Sequence, residues 1–458
     1  MSILFYLNKQ NDKKRVEIFS KFISEFSEQV KCQSIIICET EYDKKELVVS
    51  LKNLNYKGCN DVLNIYELLV NYTTDLSAAD KHSYNNYFYF IEPERFRNTN
   101  EIKVFTHKLS GLFSDILTEY GIKAVHYSNF LDIFYSVGIT VLQNVLNLRS
   151  VPLYMIFTAY ALKGRFTVYD SIYFKHKKIE RNYHNLIKNG LNDMIIRDID
   201  NYFKSYLLYE SRVHLPLIKE KRGEKIKKLK FRLMFFLKNI MTHKRDKHSI
   251  NKTYKKRKSE NPYILCILTK CNHWYSRYAN PELLDRENII RNIWLNLPSG
   301  YDLVLKPHPR VMYEPDIERC IATLPGCYIS YDQPSTVQWI KDAEIVINMG
   351  STAGILSLMQ KKHIVELGKR PPYFNFEDSP VKRVENLADL KEAFNECLNE
   401  KPPLDKIYAY FYSFLQNSVP YSNIQDEISF KRGSIDEHSY KRMEQMLVER
   451  LRSDNIIA

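Results

Sequence analysis

Leu303-Val304-Leu305-Lys306-Pro307-His308-Pro309-Arg310 runs from an apolar, strand-like triplet straight into a cationic loop that carries an imidazole. Further along, Val346-Ile347-Asn348-Met349-Gly350-Ser351-Thr352-Ala353-Gly354 repeats the opening with a different ending: an apolar strand, a turn of small residues, then a helical run. Short apolar runs that alternate with helical periodicity signal a parallel sheet with crossover helices. In such sheets ligands bind beyond the carboxyl ends of the strands, which is where both motifs terminate.

The same alternation covers most of the chain. Around the two motifs it predicts strands over 263–268, 302–305, 327–330, 344–348 and 363–367, with helices over 286–297, 316–323, 335–342 and 352–360. Nearer the start it predicts strands over 3–7, 34–38, 87–91, 124–127 and 152–157. Val16, Phe19, Phe22, Ile23, Phe26 and Val30 recur between them at helical spacing, as do Leu131, Phe134, Val141, Leu142 and Val145. Residues 179–209 read as one long charged helix, and 440–451 as a helix in the tail. A chain of 458 residues exceeds the roughly 250–300 that one hydrophobic core serves, so two cores are expected. The expected class is α/β with two Rossmann-like domains: 1–218, then a basic linker over 219–260, then 261–458.

Apolar residues make up 44% of the chain and aromatics 13%, with 33 Tyr, a composition that folds and excludes general disorder. The eight cysteines (32, 38, 59, 266, 271, 320, 327 and 397) contain no C-x-x-C pair, and several lie in apolar runs, as expected of buried free thiols in a reducing cytoplasm. Met1-Ser2-Ile3-Leu4-Phe5-Tyr6 lacks a basic n-region and a cleavage site and reads as a first strand. Nowhere do about 18 uncharged apolar residues run together, so no spanning helix is expected.

The formal charge of +13 is local. Between Lys219 and Lys258 there are 17 Lys or Arg against 3 acids, which accounts for the whole excess. Within that stretch, Leu229-Lys230-Phe231-Arg232-Leu233-Met234-Phe235-Phe236-Leu237-Lys238-Asn239-Ile240-Met241 is an apolar segment flanked by cations. It reads either as a helix lying on an anionic membrane surface, where each Lys or Arg contributes about 1 kcal/mol, or as a solvated interdomain linker with a core-packing helix. No nucleic-acid-binding motif accompanies it, so no nucleic-acid partner is expected.

Lys306 can pair with a phosphate, and His308 can hydrogen-bond a phosphate or protonate a leaving group, in a loop that Pro307 and Pro309 stiffen. The bland alternative is a turn with exposed charges. Gly350, Ser351 and Thr352 at a helix start offer backbone N–H groups and two hydroxyls to an anion; the bland alternative is a helix cap with tight packing.

The order of a strand ending in Lys-x-His-Pro, a strand ending in a Gly-Ser/Thr-rich turn and helix, and an apolar strand reaching Gly368 and Tyr373 resembles the bacterial capsule polysaccharide biosynthesis proteins. That family includes retaining β-Kdo transferases that use CMP-Kdo. The resemblance is most specific over 261–375 and only architectural before it. It implies a GT-B glycosyltransferase whose first domain takes a lipid-linked or polysaccharide acceptor. Its second domain would take a nucleotide sugar, CMP-linked, with no bound cofactor, at the inner face of the cytoplasmic membrane. Lys306 and His308 would lie at the donor phosphate or reacting centre, and Ser351 and Thr352 would hold the phosphate. Two family elements differ: a Pro-Glu pair is replaced by Lys270-Cys271-Asn272-His273-Trp274-Tyr275, and a Glu-Ala by Leu356-Ser357.

Glycosyl transfer needs a carboxylate as base or nucleophile. Asp170, after Thr167-Val168-Tyr169, and Asp132, after Ser128-Asn129-Phe130-Leu131, both follow apolar strands; each residue type is also an ordinary cap or turn residue. Glu92 and Glu94 are weaker candidates. No metal site is expected, since the cysteines are unpaired and His273 and His363 lack ligands at metal spacing. Arg310 and Lys369-Arg370 could neutralise an anionic donor or acceptor. Two other readings stand beside this one: an inverting sialyltransferase-like enzyme, and a non-catalytic glycan-assembly partner at the membrane, which the two departures favour.

Overall fold

In the computed structural model the described residues are 1–7, 13–72, 99–128, 137–159, 161–162, 164–172, 174–213, 259–268, 285–307, 315–330, 335–368, 373–420 and 437–457. The basic segment, the strand expected over 87–91, and Glu92, Glu94, Asp132, His308, Arg310 and Lys369-Arg370 lie outside them. Two compact units are present: Met1–Leu191 with Asn375–Asp378 and Ala409–Ala458, and Asn192–Phe374 with Ser379–Tyr408.

In the first unit the strands are β1 (Ser2–Leu7), β2 (Gln33–Cys38), β3 (Cys59–Asn64), β4 (Ile122–Ser128), β5 (Leu153–Thr158) and β6 (Arg165–Tyr169). The parallel part of the sheet runs β3-β2-β1-β4-β5, the strand order of a Rossmann half extended by two strands. β6 and the short strand Val419–Pro420 close it antiparallel. Every side chain of β1 is buried, as a central strand covered on both faces requires. The helix Lys13–Val30 buries Val16, Phe19, Phe22, Ile23 and Phe26 at the spacing read from the sequence. The helix Glu41–Asn53 starts where Thr40 Oγ1 accepts the Asp43 N–H at 3.0 Å.

In the second unit the strands are β7 (Tyr263–Ile267), β8 (Asp302–Lys306), β9 (Cys327–Ile329), β10 (Ile345–Asn348), β11 (His363–Leu367) and β12 (Lys382–Val384). All are parallel in the order β12-β11-β10-β7-β8-β9, the doubly wound Rossmann order. Chain direction along the sheet reverses between β7 and β10, the switch point where such folds open a ligand crevice. The α/β class with two Rossmann-like units is thus the architecture present.

Three details differ from the sequence reading. The single helix expected over 179–209 is two, Lys177–Asn189 and Asp193–Val213, parted at Gly190, whose φ of +80° no right-handed helix holds. The second of these helices joins the second unit, while the tail helix Glu437–Ser453 joins the first, so neither unit is one continuous stretch. Met443, Leu447, Val448 and Leu451 of that tail helix lie in one core with Phe19, Phe22 and Phe26. β3 was not foreseen because Cys-Asn-Asp-Val-Leu-Asn, on the sheet edge, shows little apolar run.

Candidate functional site

The register of the second sheet sets four residues on one level at its carboxyl edge. Ile267 is the partner of Lys306 on β8 and of Asn348 on β10, and Asn348 is the partner of Glu366 on β11. Ile267 shares its side of the sheet with Val304 and Val346, whose parity Lys306 and Asn348 follow, so all four side chains project to the same face. At about 4.8 Å per strand, Lys306 and Asn348 stand about 10 Å apart, on either side of β7.

Lys306 is buried, and its Nζ donates to the Ser330 carbonyl at 3.3 Å. The backbone there is held by Leu268 N–H on the Lys306 carbonyl at 2.9 Å, so the residue that leads into Pro307 is fixed at the sheet edge. The Gly350 turn follows β10 directly. Gly350 has φ +70°, which β-branched or bulky residues do not hold without strain. Its N–H donates to Glu366 Oε1 at 2.9 Å, and Asn348 Nδ2 donates to Glu366 Oε2 at 2.6 Å. Asn348 and Glu366 are wholly buried. Asn348 Oδ1 has no hydrogen-bond donor among the described residues. Burial, and to a lesser degree the Glu366 charge, pushes the Tyr373 hydroxyl well above its ordinary value.

Several backbone N–H groups of the small-residue turn already have partners within the protein. The Ala353 N–H is taken by the Ser351 hydroxyl at 3.2 Å, and the Gly354 and Ile355 N–H groups by the Ser351 and Thr352 carbonyls at 3.0 and 3.1 Å. With Gly350 bonded to Glu366, the turn satisfies much of itself. Thr352 makes no side-chain cap bond and is exposed; Ser351 is half-exposed. The helix that follows, Ala353–Met359, is short. Gly354 is required: a Cβ there would stand 2.7 Å from Asn348 Nδ2 and 3.3 Å from the Phe374 ring. The side-chain polar groups of this turn are the two hydroxyls of Ser351 and Thr352.

Asp170 follows β6, but its carboxylate is engaged. Arg450 Nη2 donates to Oδ1 at 2.6 Å and the Lys177 N–H to Oδ2 at 2.7 Å, inside a side-chain environment that leaves the pair 9% and 8% exposed. Burial pushes this carboxyl up while the Arg450 guanidinium pulls it down. A base or nucleophile needs a free oxygen facing substrate; Asp170 instead takes the first N–H of the helix Lys177–Asn189, which His176 caps, and anchors the tail helix. Among the described residues no group of three His, Cys, Asp or Glu is placed to hold a metal ion.

Glu366 and Asn348 are the polar residues of this edge that reading the sequence missed. The available signal was a carboxylate inside the otherwise apolar strand His363-Ile364-Val365-Glu366-Leu367, since an unpartnered charge is almost never fully buried.

Neither a protein-family model nor a curated protein matches the sequence. Solved structures similar to this chain include KpsC of Thermosulfurimonas dismutans, described as a β-Kdo 2,7 transferase, at 12% identity and TM-score 0.38, over 74% of this chain and 88% of that one. They also include the UDP-GlcNAc 2-epimerase of Neisseria meningitidis with UDP-GlcNAc bound, at 11% identity and TM-score 0.30, over 98% and 100%. A glycosyltransferase of Rickettsia africae is similar at 11% identity and TM-score 0.30, over 98% of each chain. Likenesses at these identities and TM-scores assign this chain no substrate and no chemistry.

Proposed function

We propose that this chain is a nucleotide-sugar-dependent glycosyltransferase of the GT-B kind, acting in bacterial surface polysaccharide synthesis. The donor is a CMP-linked Kdo or related nonulosonate and the acceptor a growing glycan or lipid-linked sugar. The observation that carries this reading is the level shared by Lys306 and Asn348 on either side of β7. A buried ammonium and the Ser351 and Thr352 hydroxyls then flank the switch point of a Rossmann sheet, the place where sheets of this kind open a ligand crevice, and this supports a phosphate-bearing ligand. The Lys306-Pro307-His308-Pro309 motif and its resemblance to capsule polysaccharide proteins support the same donor class. His308 serves at the reacting centre, and Asp132 remains the first-domain carboxylate of choice, because both oxygens of Asp170 are occupied.

A thermal-shift titration of the purified protein with CMP, UDP, GDP and ADP tests this, since a ligand that binds only the folded state raises its stability. Stabilisation by CMP alone, lost in His308→Ala and in Ser351→Ala, supports the reading. A response to UDP or GDP alone replaces the donor, and the stereochemistry of the product separates a retaining Kdo transferase from an inverting sialyltransferase-like enzyme. A second reading, a non-catalytic partner in glycan assembly, is favoured by the self-bonded state of the Gly350 turn, and predicts no response to any nucleotide. Flotation with anionic and neutral vesicles tests membrane attachment through 219–258: retention on anionic vesicles at low salt supports it, and none on either excludes it.

A further inference from the structure

We infer that Glu366 is a positioning residue for ligand binding: a carboxylate sealed beneath the Gly350 turn that fixes the turn's peptide so that Ser351 and Thr352 face the ligand. The inference rests on reading that turn as part of the donor site. Four observations converge on it. Glu366 is fully buried and accepts from the Gly350 N–H and from Asn348 Nδ2. Asn348, also fully buried, leaves its Oδ1 without a donor among the described residues. Gly350 holds a left-handed φ, and Gly354 is the residue whose missing Cβ makes room for the Asn348 amide.

Each of these works against stability. A buried carboxylate forfeits its hydration, and a buried acceptor without a donor forfeits a hydrogen bond. A turn needed only to join β10 to a helix could be closed with apolar residues and a Ser cap. Departures of this kind, gathered on one loop at the ligand edge of a sheet, are where proteins give up stability for a function. The turn cannot swing outward while Glu366 holds the Gly350 N–H, and Asn348 sets the carboxylate's angle from the neighbouring strand. The Thr352 hydroxyl, free of any cap bond, is then presented in one orientation.

Two substitutions separate positioning from mere support. Glu366→Leu removes the acceptor and the buried charge together but strands the Gly350 N–H and Asn348 Nδ2, so a lowered Tm is expected with it. Glu366→Gln keeps an acceptor for the Gly350 N–H, and its new amide can donate to the Asn348 oxygen. Calorimetric titration, run below the Tm of each variant, with whichever of CMP, UDP, GDP or ADP the wild type binds is expected to show a loss of roughly tenfold or more in Glu366→Leu, since small misplacements of ligand-holding groups are costly. Affinity is expected within a few-fold of wild type in Glu366→Gln. Wild-type affinity in Glu366→Leu overturns the inference while leaving the donor-site reading intact; a wild type that binds none of the four nucleotides overturns both. Should Glu366→Leu not fold, amide hydrogen exchange of the wild type decides. A Gly350 amide protected without ligand, with Ser351 and Thr352 gaining protection on nucleotide addition, supports the inference, and a rapidly exchanging Gly350 amide overturns it.

Discussion

Arg450 Nη2 donates to Asp170 Oδ1 at 2.6 Å, joining residues 280 positions apart. The contact ties the tail helix to the end of β6, beside Tyr154 Oη on Asp454 Oδ2 at 2.7 Å. Both charged side chains are nine-tenths buried, so removing one partner strands the other in a poorly solvated place. Arg450→Ala is expected to cost about 3–5 kcal/mol in urea unfolding. Asp170→Leu combined with Arg450→Met should cost less than Arg450→Ala alone, because no deeply buried charge is left unpaired; Asp454, the other partner of Arg450 at 3.2 Å, is about a third exposed. A double variant as unstable as the single one would show that the tail docks by this pair and not by the Met443–Leu451 apolar face.

That pair also marks how far the sequence carried. Alternation of apolar runs and helical spacing was enough for nine of the strands, among them those around Phe5, Ile36, Leu265 and Ile347, because a parallel strand buried on both faces leaves little choice of residue. It also located Lys306 and Gly350 at strand ends. What it could not give was pairing across the chain. Nothing in the local pattern around Asp170 announces Arg450, and nothing around Gly350 announces Glu366. A carboxylate after a strand looks the same whether it faces a substrate or a guanidinium. The helix break at Gly190 was legible, since glycine inside a helical run is a weak point, but the surrounding charge pattern continued through it.

Acid should loosen the first unit through its buried histidines. His126 is packed among Phe5 and Phe22, and burial lowers its pKa to about 3 from 6.5. His176 lies well below its ordinary value, first from burial and then from the Arg450 charge. Thr167 Oγ1 donates to the Asn417 carbonyl at 2.6 Å, so His176 Nε2–H donates to Thr167 and Nδ1 is left to accept the Ile179 N–H; a second proton would break that cap. Below pH 6.5, down to about 3 for His126, these histidines bind more protons in the unfolded chain than in the folded one, and their contribution to stability falls as pH falls, by up to about 1.4 kcal/mol per pH unit for each. Urea midpoints at pH 7, 6 and 5 should decrease in that order, with a shallower slope in His126→Leu.

Glu444 works in the opposite sense. Burial, followed by the charge of Glu25, raises its pKa from 4.5 to about 7. Above 4.5 the unfolded carboxyl ionises first, so this group costs stability as pH rises through 7. Glu444→Gln should therefore stabilise the protein by about 1 kcal/mol at pH 8, after allowance for solvent screening, and leave it unchanged at pH 4. An equal gain at both pH values would assign the effect to packing instead of ionisation.

Gly354→Ala should be more disruptive than an alanine inside a helix ordinarily is. Its Cβ would stand 2.7 Å from Asn348 Nδ2, and that amide is buried and bonded to Glu366, so it can yield only by giving up that hydrogen bond. A loss of about 1–3 kcal/mol, the usual range for overpacking, is expected. It should come with weaker nucleotide binding, because displacing Asn348 releases the Glu366 carboxylate that holds the turn. A variant as stable as wild type would show that Asn348 can move.

Ser351 and Thr352 sit side by side, yet the structure gives them unequal duties, and this separates ligand binding from stability. The Ser351 hydroxyl accepts the Ala353 N–H, so Ser351→Ala should lose about 1 kcal/mol of stability as a lost cap does, along with any ligand contact. Thr352 makes no cap bond and is exposed, and Thr352→Val keeps its shape. Its Tm without ligand should equal the wild-type value. If the Gly350–Thr352 turn holds a nucleotide, thermal stabilisation by that nucleotide should nonetheless shrink in Thr352→Val, with Lys306→Met shrinking it further by removing the cation on the far side of β7. Undiminished nucleotide stabilisation in both variants would move the binding site away from this edge of the sheet.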